Sequence, residues 1–220
     1  MIDLGSLFVR PGRLGHALAL VAVLWLAPGA TAQSGASALT QVHDSSALKP
    51  PAGHNVAIIE FYDLQCPLCA RTNPKLISAA NQYKIPWIRY DLLIPTHNWS
   101  QQAALTARFL DTKGPDLGND YRDYIFANQR SIETPAELQV FTQRFADARK
   151  IALPFAIDST GKFAAEIEDN IRMGLRIGVD HTPTIFIVAS GGHAPPFTEV
   201  TDPDRLFQTI DQVLAEMKQK

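Results

Sequence analysis

The chain has 220 residues, with 20 Lys and Arg against 22 Asp and Glu and a formal net charge of −2 at pH 7. Without a basic surplus or stripe, nucleic acid is excluded as the expected partner. Only two cysteines are present, Cys66 and Cys69, so any thiol chemistry is confined to one short stretch.

Residues 1–32 begin with Arg10 and Arg13, run through the apolar stretch Leu14 to Ala27, and end in an Ala-x-Ala signal at Ala30 and Ala32. This is the pattern of a secretory signal peptide removed before Gln33. The competing reading is an uncleaved anchor helix, but the apolar run is short of the about 20 residues that a bilayer span needs. The expected location is therefore periplasmic or otherwise exported, in an oxidising space. Residues 33–55 are rich in Ser, Ala, Gly and Pro with little apolar periodicity, and read as a flexible leader or tether.

Val56, Ala57, Ile58, Ile59 and Phe61 form an apolar run suited to a strand covered on both faces, as in α/β sheets. Cys66 and Cys69 follow directly, and then Leu76, Ile77, Ala80 and Tyr83 at the spacing of an amphipathic helix. Pro67 suits the first helical position, and Pro74 is expected to kink the helix.

Three readings compete for the cysteine pair: a metal clip, a structural crosslink and a redox pair. A structural zinc wants four N or S ligands, and only the scattered His43, His54, His97, His181 and His193 are available to complete a set. A crosslink gains stability with the loop it closes, and this loop is very short. A cysteine at a helix start, by contrast, faces unpaired N–H groups and the positive end of the dipole, which favour thiolate. Such cysteines fall from about 8.5 to about 3.5–7.5 in pKa. Cys66 is therefore the expected nucleophile, and Cys69, one turn inward, the expected resolving thiol.

Trp87, Ile88, Tyr90, Leu92 and Leu93 mark a second strand. From Ser100, a candidate N-cap, the chain turns helical to Gly114 and Pro115. A further helix is expected through Tyr121 and Phe126. Another starts at Thr134, with Pro135 in its first turn and Glu137 completing a capping box. The apolar residues of this stretch, among them Leu105, Phe109, Tyr121 and Phe145, read as core, with a groove over Cys66 as the sharper alternative. His97 and Trp99 read as packing at the joint. Thr184 to Val188 is a strand entered through Pro183, a position where proline is tolerated at an edge or entry. A short edge strand near Phe197 and a final amphipathic helix, which Asp202 is placed to cap, close the chain.

Glu60 six residues before the first cysteine, Cys-Pro-Leu-Cys at a helix start, Pro74 inside that helix and His-Thr-Pro-Thr before the next strand together resemble the exported thiol:disulfide oxidoreductases of the DsbA-like group. The resemblance covers about Val56 to Lys220. It implies an α/β fold, a thioredoxin fold with an all-helical insertion between its two halves. The expected division is residues 56–98 and 175–220 for the thioredoxin-like domain and 99–174 for the insertion.

The resemblance also implies roles. Cys66 would be the exposed nucleophile and Cys69 the buried partner. Pro183 would be a cis-proline against the pair, and Thr182 the residue whose backbone pairs with a bound peptide. Glu60 would be a buried carboxylate that moves the proton of Cys69; the plainer reading is a solvated strand-end acid. Pro67, Leu68 and His181 are possible modulators. The best-known oxidases place a histidine where Leu68 stands, so a less oxidising pair is expected here. No cofactor or metal is called for.

The expected partners are cysteine-containing unfolded or secreted proteins and a quinone-linked membrane reoxidant, with the chain acting as a monomer. Two alternatives remain open: a reductase or isomerase of the same fold, and a periplasmic chaperone or peptide-binding module with an incidental disulfide.

Overall fold

The computed structural model of the chain describes residues 39–114 and 116–219. The signal-peptide reading of residues 1–32 lies outside the described residues. Within them, no helix is long and apolar enough to cross a membrane.

Strand β1 (Val56–Tyr62) is buried at every position, as its unbroken apolar run requires. It is central in a four-stranded sheet of order β2-β1-β3-β4. Strand β2 (Trp87–Asp91) runs parallel to it, and β3 (Thr184–Ala189) antiparallel on its other side. Strand β4 (Phe197–Glu199) pairs antiparallel with β3 at the edge. Helix α1 (Pro67–Tyr83) links β1 to β2; α2 (Ser100–Asp111), α3 (Leu117–Asn128), α4 (Pro135–Ala148) and α5 (Lys162–Ile177) lie between β2 and β3; α6 (Leu206–Met217) ends the domain. This is the expected α/β thioredoxin fold with its helical insertion.

The period of two along β1 sorts its side chains. Val56 and Ile58 face α1 and α6, where they share a core with Leu76, Ile210 and Val213. Ala57, Ile59 and Phe61 face the other way, onto Leu92 and Ile177. Helix α5 closes on this second face through Gly174, where a Cβ would stand 3.2 Å from the Phe61 ring. The expected junction at residues 174 and 175 thus falls inside a helix that covers the sheet. A third core, built on Trp99, Tyr121, Leu138 and Phe145, fills the insertion and continues to Cys66 and Cys69.

A buried polar chain ties the insertion to the sheet. Asp91 at the end of β2 accepts from Tyr62 Oη at 2.7 Å and from Arg108 Nε of α2 at 2.9 Å. Arg122 of α3 donates to Tyr62 Oη and to both carboxylate oxygens of Asp111, each at 2.8 Å.

Two local expectations are revised. The capping box of Thr134 and Glu137 is formed, but α2 is preceded by Trp99, and Ser100 is a buried helical residue. Asp202 caps a short 3-10 turn before α6 by accepting the Asp204 N–H at 2.9 Å. Helix α1 runs through Pro74 as one element.

The larger difference concerns the leader, which is docked from Leu39 onward. Thr40 donates through its backbone N and Oγ1 to Glu199 at 2.7 and 2.8 Å. His43 N donates to the Ile177 carbonyl at 2.7 Å, and Asp44 pairs with Arg176 at 3.0 Å. Leu48 is buried beside Ile177, with Val42 and Ala47 packed against the same core. Backbone and charged groups make most of these anchors, so a search for apolar periodicity passes over them.

Candidate active site

The turn after β1 is held by a buried carboxylate. Asp63 accepts the Gln65 and Ile94 N–H groups at 2.7 and 2.8 Å, and its carbonyl accepts the Cys66 N–H at 3.0 Å. His97 Nδ1 stands 2.9 Å from the same carboxylate. From the insertion, Gln129 Nε2 donates to the carbonyls of Leu64 and Cys66 at 2.8 and 3.0 Å. Trp99, buried at the joint, donates through Nε1 to the Ile132 carbonyl at 3.2 Å.

Cys66 is the N-cap of α1, with Pro67 at the first helical position where a missing N–H is harmless. Its sulfur accepts the Cys69 N–H at 3.4 Å and lies 3.4 Å from the Thr182 carbonyl. Only 7% of the residue is exposed, and Cys69 is fully buried. The Cys66 thiol is pushed down to about 6, first by a hydrogen bond from the Cys69 thiol. Burial opposes that shift, while Thr182 and the N–H groups of Cys69 and Leu68 add to it. Cys69 moves the opposite way: burial first, then its sulfur neighbour, push it well above the ordinary thiol range.

The Thr182–Pro183 peptide is cis, and Pro183 is buried. Thr184 Oγ1 donates to the His181 carbonyl at 2.8 Å across this turn. His181 itself is half-buried, with Nδ1 2.9 Å from Asp180 Oδ1. Leu68 is partly buried against the insertion core, and Pro67 is exposed.

Glu60 is fully buried, so the plainer reading of a solvated strand-end acid is overturned. The β1 alternation turns it to the α1 face, as it does Ile58. Trp87 Nε1 donates to Glu60 Oε2 at 3.1 Å, and Arg89 is its register partner on β2. Desolvation pushes the Glu60 carboxyl up to about 7, with Arg89 and Trp87 opposing and the charges of Asp123 and Cys66 reinforcing.

Residues that the sequence reading did not single out complete this floor. Arg89 stacks on the Trp87 ring at 3.4 Å and donates to Asp123 of α3 at 2.8 Å, while Asn73 of α1 donates to Asp123 at 3.2 Å. Two charged residues, Arg89 and Asp91, among the apolar and aromatic residues of β2 were the available signal. Among the described residues, no three His, Cys, Asp or Glu side chains are grouped as a metal set.

Chemically, the arrangement offers a sulfur held toward thiolate near the surface, a second thiol kept protonated behind it, and a buried acid that titrates near neutrality.

A family model described as thioredoxin matches residues 52–211. Comparison with curated proteins returns no match. Among solved structures, the chain is similar to DsbA2 of Pseudomonas aeruginosa, with 16% identity, a TM-score of 0.58, and coverage of 78% of this chain and 95% of that one. It is also similar to alpha-DsbA1 of Wolbachia pipientis, at 14% identity and a TM-score of 0.59 over 77% of this chain and 90% of that one. ScsC of Proteus mirabilis, in a transitional conformation, is 18% identical with a TM-score of 0.58, covering 77% of this chain and 74% of that one. At these identities the likeness establishes the fold.

Proposed function

The chain belongs to the thioredoxin family, and on that premise we propose that it is an exported thiol:disulfide oxidoreductase that forms or exchanges disulfides in client proteins through Cys66 and Cys69. The observation that carries this reading is the Cys66 sulfur at the α1 N-cap, accepting the Cys69 N–H at 3.4 Å.

In the oxidised form a client thiolate attacks the Cys66 sulfur, the Cys66–Cys69 bond breaks, and Cys69 leaves. Cys69 is buried and strongly disfavours charge, so it leaves well only if a proton reaches it. Glu60, poised near neutrality, is the group suited to supply that proton. A second client thiolate then attacks the client sulfur of the mixed disulfide, forming the client disulfide and releasing Cys66. The released thiolate is a good leaving group because the helix terminus stabilises it. Run backwards, Cys66 thiolate opens a client disulfide and Cys69, after giving up its proton, attacks Cys66.

The Thr182–Pro183 turn supports a role in holding the client beside the sulfur, with the client chain extended along Thr182. The lowered Cys66 pKa favours the reduced form and hence oxidation of clients. Export, a periplasmic site of action and reoxidation by a quinone-linked membrane partner complete the proposal; the first of these rests on residues 1–32.

The test is the redox equilibrium of the pair in graded glutathione buffers, with free thiols alkylated and counted by mass. Half-reduction near or above the glutathione potential supports the oxidoreductase. A pair that stays oxidised below about −300 mV, the range of stable structural disulfides, overturns it. Activity lost in Cys66→Ser while client binding survives is expected of the enzyme; exchange that persists in Cys66→Ser excludes Cys66 as the nucleophile.

A further inference from the structure

The docked segment from Leu39 to Asp44 is fastened by its backbone and its charges, not by a large apolar face. It lies tightly against the domain at Gly178, where α5 ends. This residue has φ +107°, and a Cβ there would lie 2.2 Å from the Gln41 carbonyl oxygen. Only glycine both adopts that conformation freely and leaves room for the strap. His43 N to the Ile177 carbonyl, Thr40 to Glu199 and Asp44 to Arg176 hold the segment on either side.

Between this strap and the turn leading to Pro183 lies a cleft of about 600 Å³. Thr40, Gln41 and His43 form one wall, and Asp180, His181 and Thr182 the other. The cleft reaches Thr182, whose carbonyl is 3.4 Å from the Cys66 sulfur. A polypeptide joined to that sulfur therefore has this cleft as an adjoining path.

Two clefts that adjoin the active-site turn differ in charge. The strap cleft includes a carboxylate, Asp180, whose pKa the hydrogen bond from His181 lowers further, beside the imidazoles of His43 and His181, and no Lys or Arg among the described residues lines it. The cleft that borders Pro67 is lined by Arg71 and Arg130.

We propose that the Leu39–Asp44 strap and the Asp180–Thr182 turn are the two walls of a subsite for the client chain next to its reacting cysteine, and that this subsite favours polar and basic residues over acidic ones. The inference rests on the oxidoreductase reading of Cys66. It makes the strap a specificity-determining element of that site, a role that its composition as a tether does not suggest.

The experiment compares rates of reaction of the oxidised chain with two cysteine peptides, one flanked by Lys and one by Glu, and of the reduced chain with a small aromatic disulfide that does not extend into the cleft. The wild type is expected to favour the Lys peptide by about threefold, the scale of one exposed charge pair. Gln41→Glu, at an exposed position, adds a carboxylate to the wall and is expected to widen that preference. Thr40→Ala combined with Asp44→Asn loosens the strap. Peptide kcat/KM is then expected to fall about fivefold through KM, with the rate toward the small disulfide unchanged.

Equal losses toward peptide and small disulfide would make the strap a general support and overturn the subsite. Unchanged peptide rates in both variants would overturn it as well. A wild type that reacts with neither peptide nor small disulfide would instead sink the oxidoreductase reading itself.

Discussion

The backbone N–H of Cys69 meets the Cys66 sulfur at 3.4 Å, so one helical turn treats the two thiols in opposite ways. The same turn that offers Cys66 its donors carries Cys69 into the core that also holds Trp99 and Tyr121. Position on a helix end, and not residue type, separates nucleophile from resolving thiol.

The first prediction concerns ionisation. In the reduced protein, alkylation of Cys66 by iodoacetamide is expected to follow a single titration near pH 6, while Cys69 stays unmodified in the folded state. Because the folded pKa of Cys66 lies below its unfolded value, its contribution to the reduced form is complete above the unfolded pKa of about 8.5 and is lost as pH falls through about 6. The stability of the reduced form relative to the oxidised form should therefore decline on acidification through that window. An alkylation midpoint near an ordinary thiol value would remove the helix-terminus argument.

The second prediction concerns Glu60. Its folded pKa of about 7 lies above the ordinary carboxylate value of 4.5, so the folded state holds the extra proton. Glu60 contributes stability fully below about 4.5 and loses it as pH rises through about 7. Glu60→Gln keeps an acceptor for Trp87 and removes the buried charge. At pH 8 the variant is expected to be more stable than the wild type by about 2–3 kcal/mol, with no gain at pH 4. Its exchange rate should fall at neutral pH and lose the dependence near pH 7 that the wild type shows. Urea unfolding at the two pH values and a stopped-flow pH profile check both halves, and a wild-type profile flat across pH 7 would exclude proton transfer by this acid.

What was legible in the sequence shares a cause. β1 is an unbroken apolar run, and Cys66, Pro67 and Cys69 sit where a strand hands over to a helix, so local pattern and local chemistry agree. Thr134 and Glu137 announce their helix for the same reason. The polar floor was hidden because Arg89, Asp123 and Asn73 come from three separate elements, and nothing in the residues near any one of them names the others. The docked Leu39–Leu48 segment was hidden because backbone hydrogen bonds leave no mark on composition. Trp99 before α2 shows the ambiguity of boundaries, since Ser100 is a better cap by type but is buried one position further on.

The third prediction tests the chain that joins insertion and sheet. Asp91→Ala leaves Arg108 without its carboxylate and Tyr62 without its acceptor, at a site where Asp91 is fully buried. Removing one partner of a buried pair is expected to lower stability by on the order of 3 kcal/mol. Tyr62→Phe, which strips one hydrogen bond from each of Asp91 and Arg122, should lower it by about 1–3 kcal/mol. The double variant should fall short of the sum, because both changes break one network. Chemical unfolding measures all three, and full additivity would mean that the two contacts act independently.

The fourth prediction concerns the residue between the cysteines. Leu68 offers the sulfur no charge and no side-chain donor, and its side chain packs partly against the insertion core. In Leu68→His a ring N–H within reach of the Cys66 thiolate would stabilise the reduced form. A hydrogen bond to a charged group contributes about 1.5–3 kcal/mol, and 30 mV corresponds to about 1.4 kcal/mol for this two-electron couple. The reduction potential is therefore expected to rise by about 30–60 mV, and the Cys66 alkylation midpoint to move below 6. The lost apolar contact weakens oxidised and reduced forms alike, so it alters overall stability without altering the potential. Glutathione equilibration separates these effects. A folded variant with an unchanged potential would show that the N-cap donors and Thr182 already set the poise of Cys66, and that the residue after Pro67 does not reach the sulfur.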